Sequence, residues 1–439
     1  MGINSETLPS ITVIILNWNA KAYLGDCLAA LENQTYQNFQ VMLVDNGSTD
    51  GSVDFVRSHF PEISVYQTGR NLGFARGNNV ALRYLKGDIA FVLNPDVVLA
   101  ADCLDRVVTA MEADRTIGIA GCKLWYPGSE LLQHAGGYVT RPRAIPGHFG
   151  VGEPDASQYN SIRDVDYVIG AAMAIRRETL ITIGLFDATM FLYFEDVDLC
   201  TRARQADFRV VYLPTATAVH VESALAVKGS FAYLHRFHTG RWHYLLKHFS
   251  IDEITLATIP AEREWLNGTG LRDRQAARVA YQATLYNLQS IAATRAKQGA
   301  GPLPDAAWLV IEQNLFELSE QASGLKQGTS RLLPALSIPS EPAAPFASQI
   351  PLIGPLITGV RRVWNNFAGR WYVDHIRQQQ DEFNNLVNAE MVKFEQEISG
   401  RHLSIDEIIK RQLHLRREAS ELEGMLNEQL DGIGSSPVN

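Results

Sequence analysis

Apolar and polar positions alternate with two different periods over the N-terminal part of the chain. Short continuous apolar runs, such as Ile11–Leu16, are followed by segments whose apolar residues recur at helical spacing, as Leu24, Leu28 and Leu31 do. Such runs predict buried parallel strands joined by amphipathic helices. The strands predicted in this way are Ile11–Leu16, Val41–Val44, Ile63–Tyr66, Ile89–Leu93 and Ile117–Gly121. Their alternation with helices predicts an α/β fold with a mostly parallel central sheet.

The pattern changes after the fifth strand. Residues 125–165 are rich in Gly, Pro and His and predict a long loop with short strands, a feature that is usually functional. Strands return at Asp166–Arg176, Val210–Leu213 and Ala218–Val221, and helical regions follow. The predicted organisation is an α/β domain over residues 9–250, a helical extension over 251–327, a Pro-rich linker over 328–356 and a C-terminal helical, coiled-coil-like module over 357–439.

Composition narrows the class of protein without identifying it. The chain has 439 residues, 46% of them hydrophobic and 20% charged, which is typical of a soluble protein of more than one domain. A net charge of −9 does not favour nucleic acid as a partner. The start of the chain lacks the pattern of a secretory signal, and no apolar run approaches the ~20 residues that span a bilayer. Four widely spaced cysteines fit neither a zinc site nor a disulfide framework, so a cytoplasmic location is expected.

Polar and glycine residues follow four of the predicted strands. Open parallel sheets bind ligands at the carboxyl ends of their strands, so these residues are candidates for one ligand site. Turn chemistry explains any one of the four segments, but it explains four in register less well. The candidates are Asn17 and Asn19 after the first strand, Asp45, Asn46 and Ser48 after the second, Arg70, Asn71, Gly73, Phe74, Gly77 and Asn78 after the third, and Asn94 and Asp96 after the fourth.

The chemistry of these candidates suits a nucleotide carrying a diphosphate. Asp45 can accept hydrogen bonds from a nucleobase imide and a ribose, and Arg70 can neutralise a diphosphate. Gly73 and Gly77 allow a ligand to approach the backbone at the start of a helix.

A divalent cation, Mg²⁺ or Mn²⁺, is the expected cofactor. Asp96 offers the hard oxygen ligand that such a cation prefers against a diphosphate. His220, at the end of a later strand, is a candidate to complete the metal shell. The alternative for His220 is an ordinary hydrogen-bonded histidine in a turn.

Three acids crowd four positions directly behind the apolar run Phe191–Phe194. They are Glu195, Asp196 and Asp198. An apolar segment that ends in carboxylates can hold them partly desolvated, where their pKa values are tunable. The alternative is structural, because acids in the first turn of a helix interact favourably with the helix dipole.

Six segments in order carry a resemblance to a known family. They are VIILNWN, VDNGSTDGS, NLGFARGNN, LNPDV, YVIGAAMAIRR and FDATMFLYFEDVDLCTRARQADFRVVYLPTATAVH, and they span about residues 11–222, half of the chain. The chain resembles the family 2 glycosyltransferases, and within them the bacterial rhamnosyltransferase-like branch. The resemblance implies the GT-A nucleotide-sugar-binding fold over residues 9–250.

The resemblance also implies roles for particular residues. Asp196 matches the catalytic base, and Glu195 is expected to orient it or to touch the acceptor. Gly170 and Ala171 are expected on the acceptor side. The family's metal motif is Asp-x-Asp; here Asn94 replaces the first acid, so only Asp96 matches.

The function implied is an inverting transfer of a sugar. The expected donor is a dTDP- or UDP-sugar, with rhamnose preferred, and the expected acceptor is a hydroxyl of a glycan or lipid-linked molecule in cell-surface polysaccharide synthesis. A nucleotidyltransferase is an alternative, but it needs a Gly-rich basic loop after the first strand, where this chain has Asn17-Trp18-Asn19-Ala20. A second alternative is a non-catalytic scaffold that binds nucleotides or sugars. Such a scaffold does not need a catalytic base, so the presence of the Glu195–Asp196 pair argues against it.

The C-terminal module carries an apolar stripe that needs a partner. The stripe consists of Phe383, Val387, Met391, Phe394 and Ile398, and a Trp- and Arg-rich segment, 350–373, precedes it. Two interpretations stay open. In the first, the module packs on the α/β domain of the same chain or against a second copy in a homodimer. In the second, it docks peripherally on the inner face of the cell membrane.

Overall fold

The computed structural model describes residues 8–222 and 229–323. All of these belong to the first of two compact units, Met1–Leu325 and Lys326–Asn439. The predictions made for the linker 328–356 and for the module 357–439 lie outside the described residues. The domain boundaries as a whole stay a prediction.

The described residues form strands, helices and one π-helical turn in the alternating order that the sequence predicts. The strands are β1 (Ile11–Asn17), β2 (Phe39–Asp45), β3 (Ser64–Gln67), β4 (Ile89–Leu93), β5 (Val97–Leu99), β6 (Ile117–Trp125), β7 (Leu132–His134), β8 (Gly137–Thr140), β9 (Ile145–His148), β10 (Arg163–Asp164), β11 (Ala172–Arg176) and β12 (Arg209–His220). The helices are α1 (Lys21–Glu32), α2 (Ser52–His59), α3 (Gly73–Leu82), α4 (Cys103–Ala113), α5 (Arg177–Ile183), α6 (Glu195–Gln205), α7 (Phe231–His248), α8 (Ile259–Gly268), α9 (Leu271–Tyr286), α10 (Leu288–Gln298) and α11 (Asp305–Ser323), with the π-helical turn Glu253–Thr258 before α8.

One central sheet organises the first part of the chain. Its strand order is β10-β12-β6-β11-β4-β1-β2-β3, with β5 paired to β12 and β7 paired to β6. Strand β1 is parallel to β2 and β4, and β3 is parallel to β2. The predicted α/β class and the helical regions after it are confirmed.

Besides its parallel pairs of strands, the central sheet contains antiparallel ones. Strand β11 lies between β4 and β6 and is antiparallel to both. Between β6 and β11 the chain forms β7, the β8–β9 hairpin and β10, and this segment contains no helix. Because no helix carries it back across a face of the sheet, β11 runs in the opposite direction.

The last strand of the sheet also differs from its prediction. The two strands expected at Val210–Leu213 and Ala218–Val221 are one strand, β12, whose register against β6 shifts between Leu213 and Thr217. Pro214 lies in this shift, where its missing N–H removes no regular ladder bond. The shift allows the end of β12 to pair with β5 and brings His220 beside Val97.

Apolar cores cover both faces of the sheet. Alternate residues of β1 point to opposite sides, so Val13 and Ile15 join α1 and α4 in one core while Ile14 joins the other. The second core also takes in buried residues of the helical extension, among them Tyr281 and Leu315. Helices α8–α11 therefore rest on the same face of the sheet that carries α6. None of the helices in the described ranges is both long and apolar enough to cross a membrane.

Candidate active site

Two neighbouring cavities open at the carboxyl edge of strands β1, β2 and β4. One, of about 180 Å³, is here named the amide cavity for its asparagines Asn46, Asn71 and Asn94. The other, of about 380 Å³, is named the acid cavity for Glu195 and Asp196. Four residues line both cavities, so the two are continuous: Phe74, Asn94, Asp96 and Leu192. Gly170, Ala171 and His220 line the acid cavity.

The backbone that delivers the acids is strained. Tyr193 and Phe194 both have φ of 73°, in the left-handed region that residues with a side chain rarely adopt. Helix α6 begins immediately afterwards at Glu195. Residues in such conformations persist only where the surrounding structure fixes them, and they concentrate at functional sites. The turn formed by Tyr193 and Phe194 is here called the acidic turn, because it leads directly into Glu195 and Asp196.

Two glycines permit the close approach that fixes the acidic turn and the residues before it. A Cβ atom on Gly240 of α7 would clash with the carbonyl oxygen of Tyr193, and one on Gly73 of α3 would clash with that of Phe191. The Phe74 N–H also donates to the Phe191 carbonyl oxygen at 2.7 Å. Helices α3 and α7 therefore hold this segment from two sides.

Two backbone N–H groups hold the carboxylate of Asp196. Its Oδ2 accepts a hydrogen bond from the Gly170 N–H at 3.1 Å, and its Oδ1 accepts one from the Val197 N–H at 2.8 Å. The residue is half-buried and lines the acid cavity. Burial raises the pKa of Asp196 above its ordinary value, against the opposing effect of these backbone donors.

Glu195 is the more deeply buried of the pair. It is 4% exposed, and its Oε2 has no hydrogen-bond partner among the described residues. Burial, reinforced by the charge of Asp196, raises the pKa of Glu195 well above its ordinary value. Burial thus raises the pKa values of both carboxyl groups, and that of the more deeply buried Glu195 lies well above its ordinary value.

Asp198 has a structural role. Its Oδ2 accepts from Arg202 Nε at 2.9 Å, while its Oδ1 lies 2.8 Å from Lys247 Nζ and 2.7 Å from His248 Nε2. Burial alone would raise the pKa of Asp198, but these three partners hold it well below its ordinary value. The Asp198 carboxylate thereby links α6 to α7, and it lines neither cavity.

Asp96 and His220 lie together between the two cavities. His220 Nε2 is 3.4 Å from Asp96 Oδ1, and His220 Nδ1 is 2.7 Å from Gln133 Oε1. A glutamine carbonyl oxygen can only accept, so the imidazole donates this hydrogen bond from Nδ1, and its Nε2 is the ring nitrogen on the side of Asp96. One carboxylate and one imidazole nitrogen fit a divalent cation. Within the described ranges no group of three His, Cys, Asp or Glu residues could hold a metal ion.

Asn17, Asn19, Asp45 and Ser48 form a hydrogen-bonded cluster beside the site. Asn17 Nδ2 donates to Asp45 Oδ1 at 3.1 Å and to Ser48 Oγ at 3.0 Å, and Ser48 Oγ also accepts from the Asn19 N–H. The Ser48 N–H donates to Asp45 Oδ2 at 3.2 Å. Asp45 is buried by these contacts, and none of the four lines either cavity. Contact of Asp45 with a nucleobase stays a prediction.

Asn46 and Asn71 join the second and third strand ends. Asn46 Nδ2 donates to Asn71 Oδ1 at 3.1 Å, and Asn46 Oδ1 accepts from the Leu72 N–H at 2.8 Å. Both asparagines line the amide cavity, as do Gly73, Phe74 and Asn94. Gly73 has φ of 81°, which a residue with a side chain adopts only at a cost.

Three more of the donor-side candidates do not line either cavity. Gly77 faces β1, where an added Cβ would clash with Leu16 Cδ1, so the missing side chain allows α3 to pack on the sheet. Asn78 is fully buried and donates to the Phe74 carbonyl oxygen. Arg70 is exposed and lines neither cavity.

The structure adds site residues that the sequence reasoning missed. Trp18 and Arg236 line the amide cavity, and His148, Tyr233 and Glu222 line the acid cavity. Trp18 directly follows β1 between Asn17 and Asn19, and Glu222 follows β12, so the pattern of polar and aromatic residues after strands could have indicated both. His148 ends β9 in the long loop, and Tyr233 and Arg236 lie on α7, where that pattern gives no indication.

Gly240→Ala is expected to lower catalytic turnover by about 10- to 100-fold, because the new methyl displaces the acidic turn and with it Asp196. Gly25→Ala in α1 is the matched control, since its Cβ would meet only Phe55 Cζ at an ordinary 3.7 Å. Initial rates and melting temperatures of both variants separate misplacement from unfolding. Parent-like turnover in Gly240→Ala would show that the contact does not position the acids.

Comparison with known proteins identifies the class. Residues 12–182 match the model of Glycosyl transferase family 2. The chain is 28% identical over 276 residues to N-acetylglucosaminyl-diphospho-decaprenol L-rhamnosyltransferase of Mycobacterium tuberculosis, which covers 55% of this chain and 89% of that protein. It is 25% identical over 225 residues to rhamnosyltransferase WbbL of Escherichia coli K12, covering 48% and 83%. A solved structure, GalNAc-T7 with UDP, GalNAc and Mn²⁺, aligns with a TM-score of 0.48 and 13% identity over 65% of this chain and 58% of that one.

The site and the family match lead to the same class of protein, the sugar transferases. Residues 12–182 match glycosyl transferase family 2, and the chain is similar in sequence to two rhamnosyltransferases.

Proposed function

We propose that the protein is an inverting, metal-dependent glycosyltransferase in which Asp196 is the catalytic base. The observation that carries the proposal is the acid cavity, which places the half-buried carboxylate of Asp196 and the Asp96–His220 pair around one space. A base for the acceptor and a cation site for the leaving group are the two groups that such a transfer needs on opposite sides of the reacting carbon.

The proposed reaction is a single displacement. The acceptor oxygen forms a bond to the anomeric carbon while the bond from that carbon to the diphosphate oxygen breaks, and the acceptor proton passes to Asp196. Glu195 lines the acid cavity beside Asp196 and would orient it or contact the acceptor. Asp96 and His220 would hold the divalent cation, which supplies positive charge beside the leaving diphosphate.

The donor and acceptor are proposed from chemistry and from relatives. The preferred donor is a dTDP- or UDP-sugar, with rhamnose favoured because two relatives are named as rhamnosyltransferases. The preferred acceptor is a sugar hydroxyl on a glycan or lipid-linked molecule, as the name of the mycobacterial relative suggests. A lipid-linked acceptor would place the enzyme at the inner face of the cell membrane.

Donor hydrolysis is the direct test. The full chain is incubated with a panel of dTDP-, UDP- and GDP-sugars, and the nucleoside diphosphate released is measured with Mg²⁺, with Mn²⁺ and with excess chelator. We expect slow hydrolysis of a pyrimidine donor that chelation abolishes and added Mn²⁺ restores. Release from no donor, together with no nucleoside diphosphate binding, would contradict the proposal and favour a scaffold of another kind.

Two variants locate the cation in that assay. Asp96→Ala is expected to raise the donor KM by about 10-fold or more in the presence of metal, and His220→Ala is expected to raise the Mn²⁺ concentration needed for half-maximal rate. Asp54→Ala, an exposed acid on α2, is the matched control. Full activity of the parent in excess chelator would disprove the metal requirement while leaving the transferase assignment intact.

A further inference from the structure

Arg236 is the cation at the amide cavity. It belongs to α7 and lines the cavity opposite a wall of asparagine amides. Its guanidinium carbon lies 5.4 Å from the centroid of the Phe191 ring, and Phe191 is the residue whose carbonyl oxygen holds the start of α3. Among the residues that line this cavity, Arg236 is the single cation and Asp96 the single acid.

The guanidinium of Arg236 is available to a ligand. None of the carboxylates in the described ranges forms an ion pair with it, whereas Arg241, five residues further along the same helix, is fully buried against Glu262. Residues 223–228, which precede α7 in the sequence, are Ser-Ala-Leu-Ala-Val-Lys and contain no acid. An arginine carries five donors in a planar fork that matches two oxygens of a phosphate group.

The packing of α7 explains why Arg236 reaches this cavity. Gly240 lies against the carbonyl oxygen of Tyr193, so that face of α7 is turned toward the segment from Phe191 to Phe194. Arg236 is four residues earlier and therefore on the same face, one helical turn away. Its position over the Phe191 ring is the consequence. The contact that positions the acidic turn thus also sets the position of the arginine.

We infer that Arg236 binds the diphosphate of the donor and stabilises it as it leaves. The inference rests on the proposed function and assigns the second of two cationic contacts, the first being the cation at Asp96 and His220. A divalent cation bound to the Asp96 carboxylate would balance only part of the negative charge of a departing nucleoside diphosphate. The asparagine amides of the cavity carry no charge and cannot balance the rest. Arg70, which the sequence suggested for this role, lies outside both cavities.

Binding measurements on the full chain test the inference. Dissociation constants of UDP and dTDP, and of uridine and thymidine as phosphate-free probes, are measured with Mn²⁺ for the parent, Arg236→Met, Arg236→Lys and Arg70→Met. Removing one charge-assisted contact is expected to weaken diphosphate binding by about 10- to 100-fold in Arg236→Met. Nucleoside binding is expected to be unchanged, and Arg236→Lys is expected to recover part of the loss. Donor turnover should fall with diphosphate affinity.

The outcomes separate this inference from the proposed function. Diphosphate binding that is unchanged in Arg236→Met, or lost in Arg70→Met instead, overturns the role of Arg236 while the transferase assignment stands. Equal weakening of nucleoside and diphosphate shows a merely structural role and also overturns it. A parent protein that binds neither diphosphate overturns both proposals. Arg272→Met, an exposed arginine at the start of α9, controls for the change in surface charge.

Discussion

Asp196→Asn is expected to lower turnover by about 100- to 10,000-fold, the usual contribution of a general base, while nucleoside diphosphate affinity stays nearly unchanged. Asparagine has almost the same shape and keeps one oxygen to accept the Gly170 N–H, but it cannot take up a proton. The release of nucleoside diphosphate gives the rate, and calorimetry gives the affinity. Near-normal turnover would show that another group is the base.

The pH dependence of the parent enzyme follows from the same residue. Burial raises the pKa of Asp196, and the base must be ionised to act. Turnover is therefore expected to fall as the pH drops through this raised pKa, above the value of about 3.9 of an ordinary aspartate. Glu195→Gln is the companion variant and is expected to have the milder effect, because in the proposed reaction Asp196, and not Glu195, takes up the acceptor proton.

Lys247→Met is expected to cost about 3–5 kcal/mol of unfolding free energy, the range measured when one partner of a buried ion pair is removed. Lys247 is fully buried, and its Nζ lies 2.8 Å from both Asp187 Oδ2 and Asp198 Oδ1. Methionine fills a similar volume but leaves two buried carboxylates facing each other. Chemical denaturation of the variant measures the loss.

The pH dependence of that loss distinguishes charge from packing. Burial would raise the pKa values of Asp187 and Asp198, but their cationic partners hold both below the ordinary value. Such groups stabilise the fold above their unfolded pKa of about 3.9, and this contribution disappears as the pH falls through their folded pKa values. The deficit of Lys247→Met is therefore expected to be largest near neutral pH and to narrow below about pH 4. A deficit that is independent of pH, or shared by the exposed control Lys297→Met, would contradict the charge argument.

The sequence by itself determined the elements and the edge at which the site lies. Apolar runs such as Ile11–Leu16 have no alternative but burial, so the strands could be predicted without knowing their neighbours. The ends of parallel strands meet at one edge, so Asn17 and Asp45, which lie opposite each other in register, could be expected close together. The resemblance of six ordered segments added the family, and the match over residues 12–182 confirms it.

Tertiary structure alone decided which of these residues face the ligand space. Asp196 and Asp198 are two residues apart on α6 and so point to different sides of the helix. Only the packing of α7 decides that Lys247 and His248 enclose Asp198, whereas Asp196 faces the acid cavity. The antiparallel direction of β11 depends on where the chain re-enters the sheet. Arg236 and Gly240 reach the site through contacts with residues about 45 positions earlier, and spacing along the sequence carries no information about contacts of that range.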